Sequence, residues 1–259
     1  MKYHENNTIG IVGGMGPHSG SALFNNILDF SQAECDQDHL PIILMSYPSW
    51  INDRSAFLNG DNVVNPAYAV VDVINKLEQA GCKVVGMACN TVYAPAIYNV
   101  ILKQLSINNN KVKLLHMPYE VCVNIKKEHP FIRRVGLLVT NGSYKSQVYE
   151  TILKNLGLDV IKPDEDFQNN VIHRMIYDPK FGIKAFPNQV KPELEILRRK
   201  ALDFFRKKGT QALVLGCTEF SLLFDKKPED DFVILDSLKI FSKALIKEAL
   251  KHNNMAISA

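Results

Sequence analysis

Two of the five cysteines stand in matching surroundings. The segment Gln79-Ala80-Gly81-Cys82-Lys83-Val84-Val85-Gly86-Met87-Ala88-Cys89 runs parallel to Lys207-Lys208-Gly209-Thr210-Gln211-Ala212-Leu213-Val214-Leu215-Gly216-Cys217, an offset of 217 − 89 = 128 residues. Each cysteine closes a short apolar run and is followed by small polar residues, Asn90-Thr91 in one case and Thr218-Glu219 in the other. A thiol donates a proton and its thiolate accepts one, so a cysteine held at a strand end can serve as acid, base or nucleophile. Small polar neighbours add N–H and hydroxyl donors for an anion such as a carboxylate. Core packing does not call for the same residue twice at mirrored positions, so the pair is read as chemistry. Cys35, Cys82 and Cys122 lack such a counterpart and are read as small buried hydrophobes.

The elements that must carry these thiols follow from the hydropathy pattern. Short runs rich in Val and Ile alternate with stretches of helical period, the mark of parallel sheets covered by helices. Strands are predicted at Thr8 to Val12, Pro41 to Met45, Lys83 to Met87, Lys113 to His116, Arg134 to Val139, Ala212 to Leu215 and Phe232 to Leu235. Ala67, Val70, Val71, Ile74 and Leu77 recur on one helical face, as do Leu194, Leu197, Ala201 and Phe204. The repeat extends to Ile9-Gly10-Ile11-Val12 and Val135-Gly136-Leu137-Leu138, where 135 − 9 = 126. An α/β fold of two similar domains is expected, each a parallel sheet flanked by helices, related by pseudo-two-fold symmetry with the active site in the cleft between them. The first domain takes residues 1–116 and is completed by 229–259; the second takes 117–228. Each cysteine then sits at the carboxyl end of a buried strand, where open α/β sheets bind ligands.

Composition removes several classes of function. The chain has 259 residues, 46% hydrophobic and 22% charged, an ordinary globular make-up. Its 30 basic and 27 acidic residues are scattered, so no nucleic-acid partner is expected. No apolar run reaches the roughly 18 residues a membrane span needs, and the first residues lack a secretory pattern. A cytoplasmic protein with free thiols is therefore expected, and the absence of a C-x-x-C pair argues against structural zinc. Met1 to Asn7 and His252 to Ala259 are expected to fray.

Taken in order, the motifs resemble the aspartate/glutamate racemase family, and within it the aspartate-racemase branch. They are Ile9-Gly10-Ile11-Val12-Gly13-Gly14-Met15-Gly16-Pro17, Asp36-Gln37-Asp38-His39-Leu40-Pro41, Asn52-Asp53-Arg54-Ser55, Cys89-Asn90-Thr91, Thr140-Asn141-Gly142-Ser143, Ile176-Tyr177, Gly182-Ile183-Lys184-Ala185 and Gly216-Cys217-Thr218-Glu219. The resemblance implies a homodimer that racemises an amino acid, aspartate or both aspartate and glutamate, with no cofactor and no metal. It implies Cys89 and Cys217 as the catalytic pair, and Arg54 and Lys184 as cationic partners of substrate carboxylates. Met15, Asn90, Thr91, Val92 and Thr218 would line the substrate site. Inverting a stereocentre needs a base on one face of Cα and an acid on the other, which two matched thiols supply. The chain departs from the family pattern at Ala88, Asn52, Tyr93 and Phe186, all on the rim of the expected site, which bears on the substrate more than on the reaction.

Other readings stay open at this point. A dinucleotide-binding oxidoreductase is suggested by the glycines after the first strand, but Gly14-Met15-Gly16-Pro17-His18-Ser19 lacks the third glycine of that fingerprint, and Ser46-Tyr47 supplies no acidic residue for a ribose. A related carbanion enzyme, such as a hydantoin racemase, maleate isomerase or decarboxylase, would share the fold. Retention of both thiols argues against a decarboxylase, which needs one, and Arg54 with Lys184 argues against a hydantoin, which has no free carboxylate. A non-catalytic binding protein is the remaining alternative.

Overall fold

A computed structural model of the chain describes residues 7–226 and 231–256. The expected frayed ends at Met1 to Asn6 and at 257–259 lie outside these residues. The apolar run after Thr8 forms β1 (Ile9–Gly13), every residue of it buried, as a central strand covered on both faces requires. There follow α1 (Pro17–Phe30), β2 (Ile42–Ser46), α2 (Arg54–Asn59), α3 (Ala67–Gln79), β3 (Val84–Met87), α4 (Pro95–Ile107), β4 (Lys113–Leu114) and α5 (Met117–Glu128). The second half begins with β5 (Arg134–Leu138), α6 (Asn141–Ser146), α7 (Val148–Asn155), β6 (Asp159–Ile161) and α8 (Glu165–Phe167). A π-helical turn at Gln168–His173 leads into α9 (Arg174–Tyr177), α10 (Pro192–Lys207), β7 (Ala212–Leu215), α11 (Glu219–Lys226), β8 (Val233–Asp236) and α12 (Ser237–Ala256).

These elements form two compact units. One comprises the described residues up to Glu120 together with those from Leu238 onward; the other is Val121–Ser237. The first unit holds a parallel sheet in the order β2-β1-β3-β4, and the second a parallel sheet in the order β6-β5-β7-β8. In each sheet the second strand lies outside the first and the third pairs on its other side. The internal repeat is thus a repeat of topology, and the expected α/β class, two parallel sheets flanked by helices, is found. All seven predicted strands are present within a residue or two of their expected ends.

The differences have local causes. β6 escapes a hydropathy reading because it is three residues long, starts on Asp159 and lies at a sheet edge. The sequence places the return to the first domain at 229, but β8 pairs with β7 from Ala212↔Val233 to Leu215↔Asp236, and the first unit resumes at Leu238. Cys35 is exposed rather than buried, since it follows α1 in a polar turn. α12 continues through His252 to Ala256, where fraying is expected from sequence.

Helix faces follow the 3.6-residue period. α3 buries Ala67, Val70, Val71, Ile74 and Leu77 as expected, with Val73 added. Each large aliphatic side chain so covered contributes about 1.5–3 kcal/mol relative to exposure. α10 is rotated slightly from expectation: Leu194 and Ala201 are buried, but Arg198, Leu202 and Phe205 share the face while Leu197 and Phe204 are only half-buried. Arg198 can occupy that face because its guanidinium lies over Phe224, 5.2 Å from the ring centroid, and 3.5 Å from Glu195.

Candidate active site

In a sheet ordered second-first-third-fourth, the chain runs outward one way from the first strand and then returns to the other side. The carboxyl ends of the first and third strands therefore flank the topological switch point, the usual ligand position in open α/β sheets. In the first unit those ends belong to β1 and β3, and Cys89 stands two residues past β3. In the second they belong to β5 and β7, and Cys217 stands two residues past β7. The two thiols thus hold equivalent positions in two independently built sheets. Both are buried, at 5% and 4% exposure, as are Asn90, Thr91, Val92 and Thr218.

In the first unit the loop after β1 turns at Gly14, whose φ of +90° suits glycine; a Cβ there would lie 2.9 Å from the backbone of Tyr47 and Pro48. That turn buries Met15 and points its carbonyl at Arg54, whose Nη2 donates to it at 2.7 Å. Arg54 is the first residue of α2, a helix capped by Asp53, which accepts from the Ala56 N–H at 2.9 Å. Arg54 Nη1 also donates to the Asn52 carbonyl at 3.2 Å, and the Asp53 carboxylate lies 4.0 Å away. The buried guanidinium is thus a cross-link between the β1 loop and the start of α2. α2 in turn packs on the 3₁₀ turn Thr91–Tyr93 that follows Cys89, so Met15, Arg54 and the Cys89 turn form one connected structure.

Behind that turn lies an aromatic cluster that no sequence pattern marks as a group. The Tyr93 ring packs at a tilt against His116, 4.5 Å between centroids, and against Tyr98 at 5.3 Å, and its hydroxyl donates to the Leu115 carbonyl at 3.0 Å. Burial pushes His116 down to about 4, which keeps the imidazole neutral at physiological pH. Burial also pushes the Tyr93 phenol well up, so its proton stays in place.

In the second unit Lys184 is delivered by a turn that folds back on α9. Gly182 N–H donates to Asp178 O at 2.8 Å, Ile183 N–H to Met175 O at 2.9 Å and Lys184 N–H to Ile176 O at 3.1 Å. Only glycine fits at 182, because a Cβ would lie 2.6 Å from the Asp178 carbonyl oxygen. The ammonium of Lys184 then meets Glu219, Nζ to Oε1 at 2.5 Å, and lies 5.4 Å from the Tyr177 ring centroid. The other carboxylate oxygen, Oε2, accepts from the Cys217 thiol at 2.9 Å and from the Thr218 hydroxyl at 3.3 Å.

Charge and burial set the ionisation of this group. Burial would raise the Glu219 carboxyl, but Lys184 and the donating thiol outweigh it and hold it below its ordinary range. Burial would likewise lower Lys184, and the facing carboxylate overrides it, so the ammonium is held above its ordinary range. Cys217 is pushed well up, first by burial and then by the Glu219 carboxylate, with Lys184 opposing. Its thiol is therefore the form present at neutral pH.

Of the residues singled out from sequence, the structure joins Met15 to Arg54 and Lys184, through Glu219, to Cys217 and Thr218. It gives both expected carboxylate-binding cations partners within the protein. In the sequence Glu219 is only the last residue of a motif. The signal that could have marked it is a carboxylate two residues after a strand-end thiol, at a position that must be buried. A second feature missed is a polar group beyond β5, where Gln168 in the π-helical turn donates to Val139 O at 2.9 Å and Asn141 Oδ1 at 3.2 Å, and the Asn141 N–H donates to His173 Nδ1 at 3.3 Å. π-helical turns recur at functional sites.

Comparison with known proteins agrees with this architecture. Residues 12–245 match the family model described as Asp/Glu/Hydantoin racemase. The chain is 25% identical over 251 residues to the broad specificity amino-acid racemase RacX of Bacillus subtilis (strain 168), covering 95% of this chain and 100% of that protein. Among solved structures it is similar to Picrophilus torridus aspartate racemase, with a TM-score of 0.73, 27% identity, and 93% of this chain and 94% of that one covered. It shares its fold with a glutamate racemase from Francisella tularensis subsp. tularensis SCHU S4, at a TM-score of 0.62 and 18% identity over 96% of this chain and 83% of the other.

Proposed function

Because this chain belongs to the Asp/Glu/hydantoin racemase family, we propose that it is a cofactor-independent amino-acid racemase in which Cys89 and Cys217 exchange protons with the substrate Cα. The observation that carries this reading is the equivalence of the two thiols, each two residues past the third strand of its sheet and each followed by small polar residues. One cysteine, as thiolate, takes the Cα proton; the other, as thiol, delivers a proton to the opposite face, and the roles reverse for the other enantiomer. The electron pair left on Cα is delocalised into the α-carboxylate, which needs donors held in place in advance. Asn90, Thr91, Val92, Thr218 and Met15 are the proposed lining, with Asn90, Thr91 and Thr218 as side-chain donors.

For the substrate, the reading favoured by the similarity to aspartate racemase is an acidic amino acid, aspartate or both aspartate and glutamate, whose carboxylates would be met by Arg54 and Lys184. A broader range of amino acids is the second reading. It is supported by the engagement of Arg54 with Met15 and Asn52 carbonyls and of Lys184 with Glu219, which commits both cations within the protein, and by the similarity to a broad-specificity racemase. We further propose a homodimer, from the family resemblance, and a cytoplasmic setting, from five free cysteines.

Incubation in heavy water with each enantiomer of aspartate, glutamate and several neutral amino acids, followed by proton NMR at Cα, tests this. Deuterium exchange coupled to inversion is the expected result, and the amino acids that exchange decide between the two substrate readings. Protein free of pyridoxal phosphate that exchanges no Cα proton of any of them would overturn the proposal.

A further inference from the structure

At the head of α11 a single carboxylate is shared by three side chains drawn from two separate segments. Glu219 Oε2 accepts from the Cys217 thiol at 2.9 Å and the Thr218 hydroxyl at 3.3 Å, while Oε1 meets Lys184 at 2.5 Å. Glu219 is 5% exposed and Cys217 4% exposed, so the contact is largely shielded from water. The charged groups acting on Cys217 are Glu219 from α11 and Lys184 from the turn after α9, with Tyr177 beneath Lys184.

We propose that Glu219, anchored by Lys184, is a positioning residue that holds the proton on Cys217, so that the free enzyme is asymmetric and Cys217 enters the cycle as the thiol. An anion 2.9 Å from the sulfur rewards the S–H form, which can donate to it, and repels the thiolate, which cannot. That the thiol acts as the acid rests on the racemase reading above; that it is held protonated does not.

The step balances simply. As the Cα carbanion is quenched, the Cys217 S–H bond breaks, its proton forms the new Cα–H bond, and the bonding pair stays on sulfur. The resulting thiolate faces the Glu219 carboxylate and is the less stable form of the enzyme. The starting form is restored when Cys217 takes a proton from water and Cys89 releases to water the proton it took from the substrate, or when the reverse reaction returns both protons. Lys184 keeps Glu219 anionic throughout and so makes the bias permanent.

The test is the pH dependence of alkylation at Cys217 by iodoacetamide in the intact protein, read peptide by peptide by mass spectrometry, with exposed Cys35 reporting the reagent's behaviour in the same samples. In the native protein the Cys217 midpoint is expected well above the value of about 8.5 for a free thiol. In Glu219→Gln, which keeps the shape and removes the charge, the midpoint falls by at least about one pH unit, roughly tenfold more thiolate at a fixed pH below both midpoints. The alkaline limb of kcat/KM falls with it, and equally for both enantiomers, because their equilibrium constant is one. A native midpoint at or below that of a free thiol overturns the proposal even if the variant does not fold, and so does an unmoved midpoint in folded Glu219→Gln. Should no amino acid be racemised, the racemase reading fails while the alkylation result still decides the role of Glu219.

Discussion

Lys184 Nζ lies 2.5 Å from Glu219 Oε1, with the two side chains 26% and 7% exposed. The pair joins a turn set by Gly182 to the start of α11, and the thiol of Cys217 hangs from the far oxygen of the same carboxylate. The lysine is thus already engaged by an anion. In the proposed function a substrate carboxylate would share that ammonium with Glu219, whereas a neutral side chain would leave the pair undisturbed.

Removing one member of such a pair strands the other. Lys184→Met is expected to cost stability at the lower end of the roughly 3–5 kcal/mol found for broken buried pairs, since Lys184 retains some contact with water. The loss should depend on pH. In the native protein Glu219 is held below its ordinary range, so its contribution is present above about pH 4.3 and is lost as the pH falls through the folded value. In the variant burial raises the same carboxyl, and its penalty fades as acid protonates it. The stability gap between the two proteins, from urea unfolding, should therefore narrow from pH 7 toward about pH 4. A constant gap would mean that Glu219 does not ionise as the geometry dictates.

Cys89→Ser and Cys217→Ser are each expected to lower turnover by about 10²–10⁴-fold, the usual contribution of a positioned acid or base. A serine hydroxyl fits either space but is far too weak an acid and base at neutral pH. The same measurement on Cys82→Ser and Cys122→Ser should show no comparable loss. Burial pushes Cys82 up to about 11 and Cys122 well above the usual thiol range, and neither lies at a strand's carboxyl end. Native rates in either strand-end variant would remove the two-base mechanism.

Much of the fold and both thiols are legible in the sequence. The matched segments ending in Cys89 and Cys217 locate the thiols, and the Val-rich runs locate the strands that carry them, because a buried parallel strand must be apolar on both faces. The Lys184–Glu219–Cys217 contact is not legible, since Lys184 reaches Glu219 across 35 residues through a turn stabilised by backbone hydrogen bonds to α9. The same holds for Arg54, whose partner is a backbone carbonyl at Met15, a group every residue has and no pattern marks. β6 escapes because three residues beginning with an aspartate give no hydropathy signal.

Arg54→Ala should destabilise the first unit even though its place in the motif marks Arg54 as a ligand for substrate. Its Nη2 bond to Met15 O and Nη1 bond to Asn52 O are buried or part-buried charge-assisted contacts, each worth about 1.5–3 kcal/mol, and truncation leaves the Met15 carbonyl without this donor. A loss of roughly 2–4 kcal/mol in urea unfolding is expected. Arg54→Lys should recover only part of it, because one ammonium does not reproduce the planar fork. Activity is a separate readout. If rates on dicarboxylic amino acids are unchanged in folded Arg54→Lys, the guanidinium fork is a cross-link alone.

The aromatic cluster behind the Cys89 turn predicts an acid-labile step. His116 lies 4.5 Å from Tyr93 and 4.9 Å from Tyr98, ring to ring, and burial holds its imidazole down to about 4, against about 6.5 when unfolded. The sign follows from linkage: below pH 6.5 the unfolded chain binds a proton that the folded one refuses, so this group's stabilisation is full above pH 6.5 and is lost as the pH falls through about 4. The total is at most roughly 3.5 kcal/mol, because each tenfold loss of proton affinity on folding is worth about 1.4 kcal/mol. His116→Phe keeps a ring in the aromatic cluster and gives up the imidazole nitrogen that accepts from the Tyr119 N–H at 3.2 Å, an exposed contact. The variant's urea midpoint should consequently be flatter than the native one between pH 6.5 and 4, while the two differ little at pH 7.5. Because Tyr93 belongs to the 3₁₀ turn directly after Cys89, protonation of His116 should also loosen that turn. The ratio of the Cys89 alkylation rate in the native protein to that in His116→Phe, taken at the same pH, should then rise on acidification; a constant ratio would dissociate the cluster from the thiol it backs.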